Sequence, residues 1–331
     1  MIELGILAER MLPATAALLL AGIGGWAVQA AVVNANPLFW QGIGRCYAPL
    51  VRKLYRLGRS HSALRLRGGL VTLAVLACAA ALGVGAQILH AGFPLGGMTQ
   101  IVFIVLCFSV AQGWALLIRL YWALKNDIAY KQAFYGLALA TRSDLTATDA
   151  YGCARIAIGY AVRIFDKGCI APLFWFILAG LPGLFVYTAL ISLVWHVGKD
   201  GYSKGFGDVP GALEHIAGFV PGIIAGAVLV IASLATPKAG FVRSLQALYA
   251  RRGRPAYHEG GLPLAVAAWG LCVTLGGPVK DLAGTTIARA WVGPQRAGAR
   301  VPADYLKRAL YLSAVAHMMT LFGLVLMLIY L

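Results

Sequence analysis

Acidic side chains are the first shortage. The 331 residues hold 12 Asp and Glu against 28 Lys and Arg, so only 12% of the chain is charged while 60% is hydrophobic. A water-soluble domain normally carries about 25% charged residues, and a surface this poor in charge excludes a soluble enzyme. The net charge of +16 would suit a nucleic-acid partner. Here, however, the cations sit in gaps between long apolar runs, which excludes nucleic acid and points to a lipid bilayer. Paired cysteines are also missing: Cys46, Cys78, Cys107, Cys153, Cys169 and Cys272 show no CxxC spacing. They read as small buried hydrophobes, and no metal site is expected of them. No cleavable leader is expected at the start, because Glu3 and Glu9 against Arg10 give the wrong charge for a signal sequence. Residues 12–33 therefore read as a retained first membrane helix. Phosphate loops are absent as well, since Gly22-Ile23-Gly24-Gly25 lies inside a span without a preceding strand or a following GKS or GKT.

What is present is apolar length. About 20 residues of helix cross the hydrocarbon core, and residues 12–33, 69–89, 98–123, 169–196, 214–235 and 309–331 qualify. Residues 262–277, only 16 long and interrupted by glycine, are expected to re-enter or lie at the interface. The expected fold is all-α: a polytopic membrane protein forming a single integral membrane domain over 1–331. It has about six transmembrane helices, the short re-entrant element and an amphipathic cytoplasmic helix.

Basic residues orient such a bundle, because they collect in cytoplasmic loops. Seven lie in 34–68, six in 124–168, five in 236–261 and six in 278–308, while 90–97 has none. This places a bacterial inner-membrane protein with both termini on the non-cytoplasmic side. The connection 197–213, where Lys199 and Lys204 balance Asp200 and Asp208, is expected on that same side. Within 124–168, Thr148 or Asp149 can cap a helix through Ala154, Ile158, Ala161, Val162 and Phe165. Arg155, Arg163 and Lys167 are expected to point from it toward headgroups.

From residue 170 the sequence becomes specific. Ile170-Ala171-Pro172-Leu173-Phe174-Trp175, then Gly180-Leu181-Pro182-Gly183 and Tyr187, resembles the core of the CobD/CbiB family, the adenosylcobinamide-phosphate synthases of cobalamin biosynthesis. Collinear islands support the resemblance: Ala63 to Gly69, Phe206-Gly207 with Phe219-Val220-Pro221, and Leu275-Gly276-Gly277-Pro278. The resemblance implies a multispanning enzyme that joins cobyric acid to aminopropanol, or its phosphate, in an ATP-dependent amide ligation. It also implies Mg²⁺ and carboxylates to hold it.

Those carboxylates are mostly missing. The resemblance sets Gly159 and Arg163 at two family glutamates and Lys167 at an aspartate; Ile191 and Val194 replace an asparagine and an aspartate. Tyr257-His258-Glu259 stands at a family SPN and Leu264 at a downstream glutamate. Asp144, Arg155 and Glu214 remain as catalytic candidates. Two function classes follow. One is an amide ligase with ATP and Mg²⁺. The other is a catalytically degenerate relative, a non-catalytic subunit that binds or stabilises a partner membrane complex.

Other polar residues fall inside spans. His317 could ligate a haem, shuttle a proton or bond a neighbouring helix, and Arg119 can snorkel to the interface. Glu214 and His215 open the fifth span, with Glu214 suited to capping. Gly218, Gly222 and Gly226 form a stripe for helix packing or a partner interface. Pro182 between two glycines should break the fourth span, and the tryptophans and tyrosines near span ends fit an interfacial belt.

Overall fold

The computed structural model describes residues 2–31, 33–56, 58–92, 96–126, 131–146, 148–197, 205–250, 255, 257–281, 284 and 286–330, without side chains at 2–4, 6–8, 25–31 and 96. Twelve α-helices occur among the described residues. They are α1 (Ile2–Ala31), α2 (Leu38–Leu54), α3 (His61–Gly92), α4 (Gly96–Cys107), α5 (Ala111–Lys125), α6 (Lys131–Thr141), α7 (Ala150–Phe165), α8 (Ala171–Val197), α9 (Asp208–Ala235), α10 (Phe241–Tyr249), α11 (Gly261–Leu271) and α12 (Ala303–Tyr330). Two pairs of two-residue strands between α11 and α12 are the whole of the described sheet: β1 (Leu275–Gly276) with β4 (Trp291–Val292), and β2 (Val279–Lys280) with β3 (Thr286–Ile287). The chain is an all-α polytopic membrane protein. Five helical segments among the described residues are long and apolar enough to cross a membrane. The first expected span lies on α1, much of whose side-chain placement is outside the described residues.

Several apolar runs are not simple rods. The expected span 98–123 is interrupted between α4 and α5, where the Ser109 amide donates to the Gly168 carbonyl at 3.1 Å and its hydroxyl donates to the Ala35 carbonyl. The run 262–277 yields α11, 11 residues long and buried along most of its length. That is about half of what a crossing takes.

The largest correction concerns residues 169–196, expected as one crossing. Gly180 takes φ 66° and ψ −154°, a backbone region essentially reserved for glycine, and the helix reverses there. Arg163 and Trp195 both donate to the Ala140 carbonyl, at 2.5 and 3.1 Å. In one straight helix residues 32 apart would be about 48 Å apart. Trp175 stacks on Tyr187 with ring centroids 6.3 Å apart across the same turn. The turn is held from outside: Arg10 donates to the carbonyls of Ile177 and Leu178 at 2.8 and 2.9 Å. These are acceptors left open where the first arm ends, and a cation there also meets the negative end of the helix dipole.

The reversal overturns one placement. Trp195, His196 and Asp208, which flank or open the connection expected on the far side, lie at the same end of the bundle as His61 and Arg142 of the basic segments. His61 Nε2 is 3.4 Å from the Asp208 carboxylate, and Arg142 donates to the carbonyls of Trp195 and His196. Lys199, Asp200, Lys204, Arg251, Arg252 and Arg254, used in the charge count, lie outside the described residues.

Candidate functional site

The site is built where α7 runs into α8. Asp149 caps α7 by accepting from the Gly152 amide at 2.8 Å, as the sequence suggests. The helix is not interfacial, however. Ala154, Ala157, Ile158, Ala161, Ile164 and Phe165 are all buried, and α7 packs inside the bundle against α12 and α5. Between α7 and α8 comes one π-helical turn, Asp166–Ile170. Such turns insert a residue into the helix and recur at functional sites. This one directs two charged side chains inward: Asp166 is 1% exposed and Lys167 3%. Lys167 was expected among headgroups, and Glu214 at a helix cap on the opposite face. The two form a buried ion pair instead.

Around this pair the polar groups interlock. Lys167 Nζ lies 4.4 Å from the Tyr257 ring centroid. The Tyr257 hydroxyl reaches Asp166 Oδ1 and the Tyr187 hydroxyl, each at 3.4 Å. Among the described residues, Asp166 Oδ2 and Glu214 Oε2 have no hydrogen-bond partner. Burial, then the Asp166 charge, pushes the Tyr257 phenol well above its usual range, so it stays protonated and can donate. The remaining void beside the pair is about 10 Å³, walled by Trp40, Ile191, Val194 and His258 among others. That leaves no room for a substrate.

The candidates named from sequence part company here. Glu214 is in the pair. Arg155 lies in an adjoining cleft that Arg163 also lines, with its guanidinium on the Ala299 carbonyl. Asp144 lines neither cavity. It forms a surface turn in which Thr146 donates to Oδ1 from its hydroxyl and amide at 2.7 and 2.9 Å, and these bonds hold the carboxyl below its ordinary range. His317 is buried between Trp114 and Phe165, each ring centroid 4.9 Å away, with Nδ1 2.7 Å from the Ser313 carbonyl. The glycine stripe faces inward. A Cβ on Gly218 would sit 2.0 Å from the Tyr257 ring, on Gly222 2.9 Å from it, and on Gly226 3.2 Å from Leu262. Arg119 is exposed. Sequence reading missed Asp166, which stands one position before the Lys167 that the family pattern singled out, and it missed Tyr257 as the filler of the glycine notch.

Comparison with known proteins gives the frame. The family model described as CobD/Cbib protein matches residues 18–313. The chain belongs to the CobD/CbiB family. The Cobalamin biosynthesis protein CobD of Rhodobacter capsulatus is 30% identical over 297 residues, covering 88% of this chain and 89% of that protein. The CobD of Klebsiella pneumoniae is 26% identical over 300 residues, covering 88% and 92%. The probable CobD of Methanothermobacter thermautotrophicus is 30% identical over 157 residues, 47% and 52% of the two chains. No solved structure matches.

Set on this CobD/CbiB frame, the scattered motif positions converge. Gly159, Arg163, Leu264 and Glu259 line one cleft; Arg163, Lys167, Ile191, Val194 and Glu214 line the void next to it; His258 borders both. Mg²⁺, which the resemblance implies, does not fit the residues present. Among the described residues no three His, Cys, Asp or Glu side chains come together in a metal-binding group. The Glu214 carboxylate is already neutralised by Lys167, and a guanidinium and an ammonium would repel a divalent cation.

Proposed function

We propose that this chain is a bacterial inner-membrane protein of the cobalamin-biosynthesis family that keeps the scaffold and has lost the ATP-dependent amide ligation. It serves as a non-catalytic membrane subunit that binds or stabilises a partner complex. The observation that carries this reading is the Lys167–Glu214 ion pair. A cation occupies the position that the resemblance gives to an aspartate, and it consumes the acid retained nearby. Burying several carboxylates without a metal is costly through repulsion and desolvation; Ile191, Val194 and an internal ion pair relieve that cost. The basic segment 34–68, which follows the first expected span, supports an N-terminus on the non-cytoplasmic side.

A second reading, an active amide ligase, is favoured by the Rhodobacter capsulatus relative, named for cobalamin biosynthesis and matched over 88% of this chain. One experiment separates the two. A strain lacking its adenosylcobinamide-phosphate synthase is given this protein on medium without cobinamide. The degenerate reading expects no cobalamin-dependent growth despite verified membrane expression, and restored growth overturns it. Purification from the native host in mild detergent should also bring down a stoichiometric partner, whereas a monodisperse lone chain counts against the subunit role.

A further inference from the structure

An apolar groove on the opposite side of α8 from the buried ion pair runs along α3 and ends among cations. One part, about 450 Å³, is walled by Phe39, Cys46 and Leu50 of α2 and by Ala74, Cys78 and Leu82 of α3. Phe39, Cys78 and Leu82 are shared with a second part of about 800 Å³, which continues along α3 to Leu89 and is backed by Phe103 and Phe185. The groove follows from what α2 leans on. The Tyr47 and Ser192 hydroxyls are 3.0 Å apart, Ser192 donates to the Trp40 carbonyl at 2.9 Å, and the Phe39 and Phe185 ring centroids are 4.6 Å apart. These contacts hold α2 against the second arm of α8, and on the α3 side Ala74 and Cys78 are too small to close the gap. From Ala74 to Leu89 the helix rises about 22 Å. One leaflet of a hydrocarbon core is about 15 Å deep, so an acyl chain fits the groove lengthwise.

At one end both walls turn basic. Lys53, three positions after Leu50, continues the α2 wall, and Arg67, seven positions before Ala74, continues the α3 wall. Arg67 is half-buried and donates to the Leu54 carbonyl at 3.2 Å. That bond seats the guanidinium between the two helices and uses one of the five donors in its fork. Arg52, Lys53 and Arg56 are exposed. Residues 10–126 contain no Asp or Glu, and Asp208, which reaches this end from α9, faces His61 at 3.4 Å.

An apolar slot with cations at its mouth complements an amphiphile that is apolar along its length and anionic at its head. Basic pockets between membrane helices on the cytoplasmic side hold anionic lipid headgroups in this way. A second copy of the chain, with a net charge of +16, brings no excess of anionic groups to those cations. We propose that the groove between α2 and α3 binds an anionic diacyl phospholipid, with one acyl chain along α3 and the phosphodiester between Lys53 and Arg67. The site shares no residue with the Lys167–Glu214 pair or the cleft beside it, so it goes beyond the function proposed above and the complementation result does not bear on it.

The test uses the full-length protein in phosphatidylcholine nanodiscs doped with phosphatidylglycerol that carries a diazirine in one acyl chain. After irradiation, labelled peptides are mapped by mass spectrometry, and phosphatidylcholine with the same diazirine chain is the reference. A cation near an anionic lipid is worth about fivefold in affinity. With two at the mouth, phosphatidylglycerol should label residues 39–50 and 74–89 at least about tenfold more than the reference does. The two lipids should label the exposed Ile216, Phe219 and Ile223 of α9 equally. Lys53→Gln should cut the preference about fivefold; the side chain is exposed, so this variant should fold. Arg67→Lys should retain the preference, and Arg119→Gln should leave it unchanged. Gly85→Leu, placed where a Cβ meets nothing within 4 Å, should fill the groove and reduce its labelling by both lipids. Equal labelling of the groove by the two lipids overturns the proposal, because the groove then holds bulk lipid. Absence of labelling there also overturns it, and disulfide cross-linking between chains at the exposed Cys78 would then assign the groove to a second copy. A preference that survives Lys53→Gln and Arg67→Gln combined overturns it as well.

Discussion

Lys167 and Glu214, 47 positions apart in the chain, meet as an ion pair with side chains 3% and 1% exposed. Each charge offsets the burial of the other, because an isolated buried charge is far more costly than a paired one. The pair thus locks the α7–α8 junction to the first turns of α9.

Removing one member should therefore be worse than removing both. Lys167→Met leaves the Glu214 carboxylate uncompensated, and breaking a buried pair in this way costs about 3–5 kcal/mol. The double variant Lys167→Met, Glu214→Leu should recover most of that loss, since a well-packed apolar replacement is often neutral. Thermal unfolding in one detergent checks it; a double variant less stable than both singles contradicts the account.

Gly180 should tolerate no side chain. Its φ of 66° with ψ of −154° lies in a region that costs other residues about 1–3 kcal/mol. A Cβ would also stand 3.2 Å from Gln87 Oε1 and 3.5 Å from the Arg10 guanidinium, the groups that cap the turn. Gly180→Ala is expected to lower the unfolding midpoint by more than Gly85→Ala, whose Cβ would meet nothing within 4 Å.

The apolar runs are legible in sequence because hydrophobic length is a local property, and the family islands are legible for a related reason. Several of them are close-approach points. A Cβ on Gly68 would sit 2.0 Å from the Phe206 carbonyl oxygen, and one on Gly83 would sit 2.5 Å from Pro182 Cα. Glycine and proline there are fixed by backbone contact, which survives whatever becomes of the chemistry. The motif Gly180-Leu181-Pro182-Gly183 announces a break but not its angle, so a hairpin reads as a rod. The site is less legible. Asp166, Lys167, Glu214 and Tyr257 come from segments that only the reversal at Gly180 brings together. In a linear reading Glu214 looks like a cap and Lys167 like a surface cation.

The glycine stripe gives a graded prediction. Alanine at 218 would drive its Cβ to 2.0 Å from the Tyr257 ring, at 222 to 2.9 Å, and at 226 only to 3.2 Å from the flexible Leu262 side chain. Overpacking costs about 1–3 kcal/mol, so stability should fall in the order Gly218→Ala, Gly222→Ala, Gly226→Ala, with the first most harmful. A flat response across the three would mean that Tyr257 does not fill the notch.

Asp144 predicts an acid-side signature. Its carboxyl is held below the ordinary value by the Thr146 hydroxyl and amide. The stabilisation is therefore fully present above about pH 3.9, the unfolded value, and is lost as pH falls through the lower folded value. Thr146→Val removes the hydroxyl bond and should shift the Asp144 carboxyl resonance titration upward toward the ordinary range. An unchanged titration would show that the main-chain amide alone sets it.

The last prediction concerns sidedness. Residues 61 and 208 touch through His61 and Asp208, 3.4 Å apart, although the charge-based reading set segment 197–213 across the membrane from 34–68. Two groups in contact cannot face different compartments. Both are partly exposed, at 64% and 35% of their side chains, so a cysteine at either position should be reachable by reagent. In a background without native cysteines, single cysteines at 61 and 208 should react with a membrane-impermeant thiol reagent from the same side. A cysteine at 90, near the far end of the 32-residue α3, lies about 43 Å away along the helix, more than the hydrocarbon thickness, and should react from the other side. Labelling of 61 and 208 from opposite sides would refute the helix reversal at Gly180, because only that reversal returns the chain to the end where it started.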